Sequence, residues 1–115
     1  MRNPDDRESG ERERQQQLLD EFLNDATQDI DGLRVLIPQL ESGDEAAWTR
    51  ARNVAHNLGA RAIALKLAVL LACLRELQLL TDEHLNGAPL DDFFMQCVSS
   101  AIETLAIEVS TLRRV

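Results

Sequence analysis

Apolar side chains recur every three to four residues along most of this chain, and that spacing restricts it to amphipathic helices. The first such stripe comprises Leu18, Leu19, Phe22, Leu23, Ala26, Ile30, Leu33, Leu36, Ile37 and Leu40. No segment shows the strict alternation of a half-buried strand. A chain of 115 residues can bury one core without metals or disulfides. We therefore predict an all-α fold, an antiparallel four-helix bundle with short connections.

Breaks in the apolar period predict where the helices end. Pro38 predicts a kink or a last turn in the first helix. In Ser42-Gly43-Asp44, the glycine can take the left-handed conformation and the aspartate can N-cap the second helix. The remaining predicted boundaries are a second helix from Asp44 to about Ala62, a third from about Ala64 to Leu80, a loop over Thr81–Pro89 and a last helix from Pro89 onward.

The N-terminal segment differs from the rest because, after Met1, residues 1–10 contain no large apolar side chain. We predict a flexible tail over residues 1–10 and a bundle domain over residues 11–115. Residues 11–17 are polar but are good helix formers, so the N-terminal extension is expected to be flexible or partly helical.

Charge and hydropathy exclude several classes of partner. The net charge of −8 opposes binding to nucleic acid, which needs a positive surface. Residues 1–17 lack a secretory signal, and the longest apolar run, Leu67–Leu74, is far shorter than the roughly 20 residues that span a membrane. Cys73 and Cys97 lie in apolar stripes, as small buried residues do in a reducing compartment. We predict a cytoplasmic protein that binds neither nucleic acid nor membrane.

His56 stands apart because it points away from the apolar stripe of its own helix. On a helical wheel it lies about 100° from Ala55 and about 160° from Leu58. An accessible imidazole is a nucleophile near neutral pH, because its ordinary pKa is about 6.5. A lone histidine on a helix is more commonly an ordinary surface residue, so the choice depends on its context.

Residues 18–113 resemble the histidine-containing phosphotransfer (HPt) domains of bacterial phosphorelays. A Leu-rich helix ends in Gly43-Asp44, where that family commonly has Gly-Asp before the histidine helix. Ala55-His56-Asn57-Leu58 is similar to the family's Ala-His-x-Leu core. The apolar positions expected of the next helix are occupied by Leu65, Leu70, Leu74 and Leu77.

The resemblance implies that His56 is a phosphoacceptor, which takes a phosphoryl group from a receiver-domain aspartate and passes it to another. The implied partners are response-regulator receiver domains and a hybrid sensor histidine kinase. The chain would need no cofactor of its own, since the receiver brings Mg²⁺, and it would be a phosphocarrier rather than an enzyme. We expect a monomer rather than a dimer.

This chain departs from the family pattern after the histidine, where Leu-Lys-Gly is replaced by Leu58-Gly59-Ala60. The family's lysine is thought to position and neutralise the phosphoryl group. Arg52, about 40° from His56 on the wheel, and Arg61, about 140° away, are the candidate replacements. Asn53 is a candidate to orient the ring.

Two further positions and two alternative functions complete the sequence predictions. A glycine that the family commonly has about ten residues after the histidine is Lys66 here. His84, in a polar context beside Asp82 and Glu83, is predicted to be a surface residue.

The alternatives to a phosphotransfer function are an adaptor of the same fold that binds a receiver or kinase without carrying phosphate, and a structural bundle that dimerises through the helix over residues 65–80.

Overall fold

Four helices make up the part of the chain that the structure describes, which is residues 4–114, with side chains described from Ser9 onward. In this computed structural model they are α1 (Pro4–Glu41), α2 (Glu45–Ala64), α3 (Ala68–Leu85) and α4 (Asp92–Arg114). No β-strand occurs within that range. The predicted all-α four-helix bundle is therefore confirmed. Over the same residues, no helix has both the length and the apolarity that crossing a membrane requires.

The four helices pack in a ring in the order of the chain. α2 packs on α1 and α3, and α4 packs on α3 and α1, so that α1 lies diagonally opposite α3. The centre is filled by large side chains with almost no exposed surface: Phe22, Ile30, Leu33, Leu40, Trp48, Leu70, Leu74, Leu77, Val98, Ile102 and Leu105. Those on α1, α3 and α4 recur at helical spacing, so the apolar period of the sequence predicts them.

The connection between α1 and α2 has the predicted form. Gly43 has φ +80° and its N–H donates to the carbonyl of Leu40, while the N–H of Asp44 donates to that of Gln39. This pair of bonds is a Schellman motif, which satisfies the last carbonyls of a helix. Asp44 then caps α2, because its Oδ1 accepts from the N–H of Ala46 at 3.0 Å. Pro38 lies in the last turn of α1, one of its two predicted places.

The boundaries predicted for α3 and α4 are wrong by several residues. α3 extends to Leu85, because Thr81 is buried and its hydroxyl donates to the carbonyl of Gln78 at 2.8 Å. A polar residue that bonds to its own helix backbone need not end the helix. α4 begins at Asp92 rather than Pro89, with the carboxylate of Asp91 accepting from the N–H of Phe94 at 2.7 Å.

The N-terminal extension continues α1 beyond the bundle. The helix begins at Pro4, so residues 4–10, predicted as a flexible tail, are helical; residues 1–3 lie outside the described part of the chain. Side chains 9–18 are all exposed, and the core begins at Phe22. A helix of 38 residues is about 57 Å long, which accounts for the long dimension of 64 Å.

Candidate functional site

His56 lies near the middle of α2 with its side chain exposed to solvent, as the wheel predicts. Its neighbours Ala55 and Leu58 are buried in the core at 0% and 2% exposure. α2 is thus fixed on its inner side by packing, while the imidazole on its outer side makes no hydrogen bond with the side chains of residues 9–114. The ring is presented by a rigid element and is open to an incoming reagent.

A shallow groove between α2 and α3 has His56 in its wall. Its volume is about 250 Å³, and its lining is mostly apolar on both helices. The lining residues are Ala55, His56, Gly59, Ala60 and Ile63 from α2, and Leu71, Leu74, Arg75 and Gln78 from α3. The structure therefore brings together His56 and its predicted small neighbours Gly59 and Ala60.

Gly59 is buried where α2 faces α3, and it lines the groove. A Cβ atom added at Gly59 would meet only Leu71 Cδ1, at 3.8 Å, which is ordinary van der Waals contact. Steric crowding therefore does not require glycine at this position. Ala60, one residue on, is exposed and adds only a methyl group beside the imidazole.

Arg75 is the positively charged side chain of the groove, and it was not among the site residues predicted from the sequence. It is exposed on α3, and it forms no ion pair with any side chain of residues 9–114. A signal for it did exist: His56 lies ten residues before Lys66 and Arg75 nine residues after it. In two antiparallel helices joined by a short turn at Lys66, these positions fall at about the same height.

Arg61, the second candidate replacement for the family's lysine, is not among the residues that line the groove. Its Nη1 lies 2.9 Å from Asp25 Oδ2, and its guanidinium carbon lies 5.0 Å from the centre of the Phe22 ring. Both partners are on α1, on the opposite side of α2. Arg61 therefore ties α1 to α2, and these contacts hold it away from the imidazole.

The other two predicted contact residues lie on α2 outside the groove lining. Arg52 is half-buried one turn before His56, and Asn53 is exposed. Their contacts with a phosphoryl group or a partner stay predictions. The seam between α1 and α2 also contains Asp29, whose pKa is raised by partial burial and by the nearby charge of Asp25, with Arg61 opposing them.

His84 is half-buried in the last turn of α3, so the prediction of a surface histidine in a polar loop is wrong. Its Nδ1 lies 2.8 Å from the carbonyl oxygen of Ala88. Its ring centre lies 4.4 Å from that of Trp48, with the rings tilted by 44°. The ring thus packs on the core and holds the start of the α3–α4 connection, which leaves it unsuited to accept a group from a partner.

Lys66 has φ +59°, within the left-handed region that favours glycine. Its N–H donates to the carbonyl of Ile63, and the N–H of Leu67 donates to that of Ala62, the bonds of a Schellman motif. The backbone therefore takes a glycine-like conformation even though the side chain is lysine.

The two cysteines are not among the residues that line the groove. Cys73 and Cys97 are free and half-buried. Partial burial, with Glu108 and Glu76 nearby, raises the pKa of the Cys73 thiol and so disfavours the reactive thiolate. Among the described residues, no group of three or more His, Cys, Asp and Glu side chains is arranged to hold a metal ion.

Comparison of the chain with known proteins found no matching family model, no similar curated protein and no similar solved structure.

Proposed function

We propose that this protein is a histidine phosphotransfer protein of a multistep phosphorelay, with His56 as the phosphoacceptor. The observation that carries the proposal is the exposed imidazole of His56, fixed midway along a core-packed helix and set in the wall of an open groove. The left-handed backbone at Lys66, where HPt domains commonly have glycine, supports the same assignment.

The transfer chemistry requires little of this chain. A neutral imidazole nitrogen of His56 attacks the phosphorus of a receiver aspartyl-phosphate; a P–N bond forms, the P–O bond to aspartate breaks, and the aspartate leaves as a carboxylate. The proton on the second ring nitrogen stays there. A receiver would supply the acidic pocket and its Mg²⁺, and that ion would stabilise the charge on the leaving side. This chain supplies the nucleophile and its position.

The partner face is the outer side of α2 and α3 around the groove. Ile63 lines the groove and is 56% exposed. Leu79, one turn beyond Arg75 on α3, is 59% exposed. Exposed apolar side chains of this kind are typical of the core of a protein interface, which a polar rim surrounds. We propose that receiver domains dock here and that a hybrid sensor kinase supplies the phosphoryl group, with the protein acting in the cytoplasm as a monomer.

An adaptor that docks the same partners without carrying phosphate is the second candidate. The observation in its favour is Gly59, which puts no cation on the flank of His56 where the family has one. The two candidates differ in one measurable property, which is whether His56 becomes covalently phosphorylated.

The test is incubation of the purified chain with receiver domains carrying a radioactive phosphoryl group. We expect acid-labile label on the wild type and on His84→Gln, the matched histidine control, and none on His56→Gln. Label that persists on His56→Gln would overturn the proposal. Stable binding of a receiver with no label on the wild type would favour the adaptor.

A further inference from the structure

We propose that Arg75, on α3, supplies the positive charge that holds the phosphoryl group on His56. The inference rests on the proposed function and deepens it, because it moves the charge support from the histidine helix to the neighbouring helix. Such a residue binds the phosphoryl group itself, so its removal should slow transfer without unfolding the protein.

The placement of Arg75 favours contact with a phosphoryl group on His56. His56 and Arg75 lie on different helices but line the same groove of about 250 Å³. Contacting helices have axes about 8–10 Å apart. A long, exposed arginine side chain on one of them can reach a phosphoryl group attached to an imidazole on the other.

The guanidinium of Arg75 is also available to bind a phosphoryl group. Arg61 is bound to Asp25, and Arg34 is bound to Glu103 through two nitrogens at 2.9 Å and 3.0 Å. Arg75 forms no ion pair with the side chains of residues 9–114, so no carboxylate among them competes for its guanidinium. A guanidinium presents a planar fork of donors that matches two phosphate oxygens at once.

The absence of a side chain at Gly59 favours the same contact. A lysine on the histidine helix at this position would start 3.8 Å from Leu71 and extend into the same groove. Glycine leaves that volume for the side chain of Arg75. The missing lysine and the unpaired arginine are thus two parts of one arrangement, in which the cation has changed helices.

The experiment measures the rate of transfer from a phosphorylated receiver to Arg75→Gln, with Arg50→Gln as the matched control. Arg50 is an exposed arginine on α2 about 120° from His56. We expect Arg75→Gln to slow transfer by about tenfold to a hundredfold, the range for loss of one hydrogen bond to a charged group, and Arg50→Gln to change it less than about twofold. Arg52→Gln is measured alongside as the rival cation on α2.

A charge-relocation variant separates a direct role from a structural one. In the Arg75→Gln background, Gly59→Lys should restore most of the lost rate, whereas Gly59→Ala should restore none. A second readout is the ³¹P titration of the phosphorylated chain: a neighbouring cation favours the dianion, so the phosphoryl pKa should rise in Arg75→Gln. A role limited to packing would leave that pKa unchanged.

Two results would overturn the inference while leaving the proposed function intact. One is a wild-type rate for Arg75→Gln on a chain that is still labelled at His56. The other is a loss of rate in Arg52→Gln and not in Arg75→Gln. Absence of label on the wild type with every donor would instead refute the proposed function, and this inference with it.

Discussion

α3 forms one hairpin with α2 and another with α4, and each hairpin contains one of the two histidines. In the α2–α3 hairpin, His56 is exposed and lacks a hydrogen bond among the described side chains. In the α3–α4 hairpin, His84 is half-buried, packs on Trp48 and is bonded to the backbone at Ala88. Helix packing therefore gives opposite environments to two identical side chains in one bundle.

The connecting turns of the two hairpins differ in the residue that takes the left-handed conformation. Both helices end in a Schellman motif, but the left-handed residue is Gly87 with φ +109° after α3 and Lys66 with φ +59° after α2. A side chain in that region costs about 1–2 kcal/mol. The α2–α3 hairpin thus combines a strained turn, a glycine inside a helix and an unpaired arginine. Departures from locally optimal choices concentrate at functional sites.

The largest expected effect separates the two histidines by stability. His84→Ala removes a ring packed on Trp48 and a hydrogen bond, so we expect a loss of about 1–3 kcal/mol in the free energy of unfolding. His56→Ala should change it by less than about 0.5 kcal/mol. Urea unfolding followed by circular dichroism measures both. Equal losses would show that the two environments are not different in energy.

A smaller effect is expected at the turns. Lys66→Gly should raise the free energy of unfolding by about 1 kcal/mol, because glycine adopts the left-handed conformation without strain. Gly87→Ala, the matched substitution in the other turn, should lower it by about the same amount. If Lys66→Gly is neutral, the α2–α3 turn is not strained and the contrast between the hairpins weakens.

The smallest expected effect is at Asp29 on α1, which lies outside both hairpins. The raised pKa of Asp29 means that the folded state holds this proton more tightly than the unfolded state, whose value is near 3.8. Stability should therefore fall as the pH rises through the folded-state pKa. Asp29→Asn should be more stable than wild type at neutral pH by no more than about 0.5 kcal/mol, since solvent screens this site.

The measurement for Asp29→Asn is urea unfolding at a series of pH values from 4 to 7. Its advantage should shrink toward the acidic end, where the wild-type carboxyl gains its proton. An advantage that grows on acidification would contradict the assigned direction of the shift.

The fold could be predicted because the apolar period is strong and continuous in all four helices. The end of α3 and the start of α4 could not, because Thr81 and Asp82 look like loop residues, whereas Thr81 is buried, bonds to its own helix backbone and lies within a helix that runs to Leu85. That error displaced His84 from the helix into a loop, and hid its packing on Trp48.

Only the part of the candidate site that lies on one helix could be predicted from the sequence. His56, Gly59 and Ala60 follow from the geometry of one helix, which a sequence contains. Arg75 depends on the register between two helices, and that register requires the true position of the turn at Lys66. Arg61 lies about 140° from His56 on the wheel, and a wheel carries no information about its partners Asp25 and Phe22 on α1.

The location of Trp48 decides what an optical measurement can detect. It is the only tryptophan, the chain has no tyrosine, and its indole is fully buried with Nε1 donating to the carbonyl of Leu40. Its emission therefore reports on the core and on the ring of His84. His56 lies eight residues along α2, about 12 Å away along the axis, on the outer face. Unfolding will change the intrinsic fluorescence strongly, whereas docking at the groove will leave it nearly unchanged. Binding must therefore be followed with a dye attached near His56 or through the partner's own chromophores.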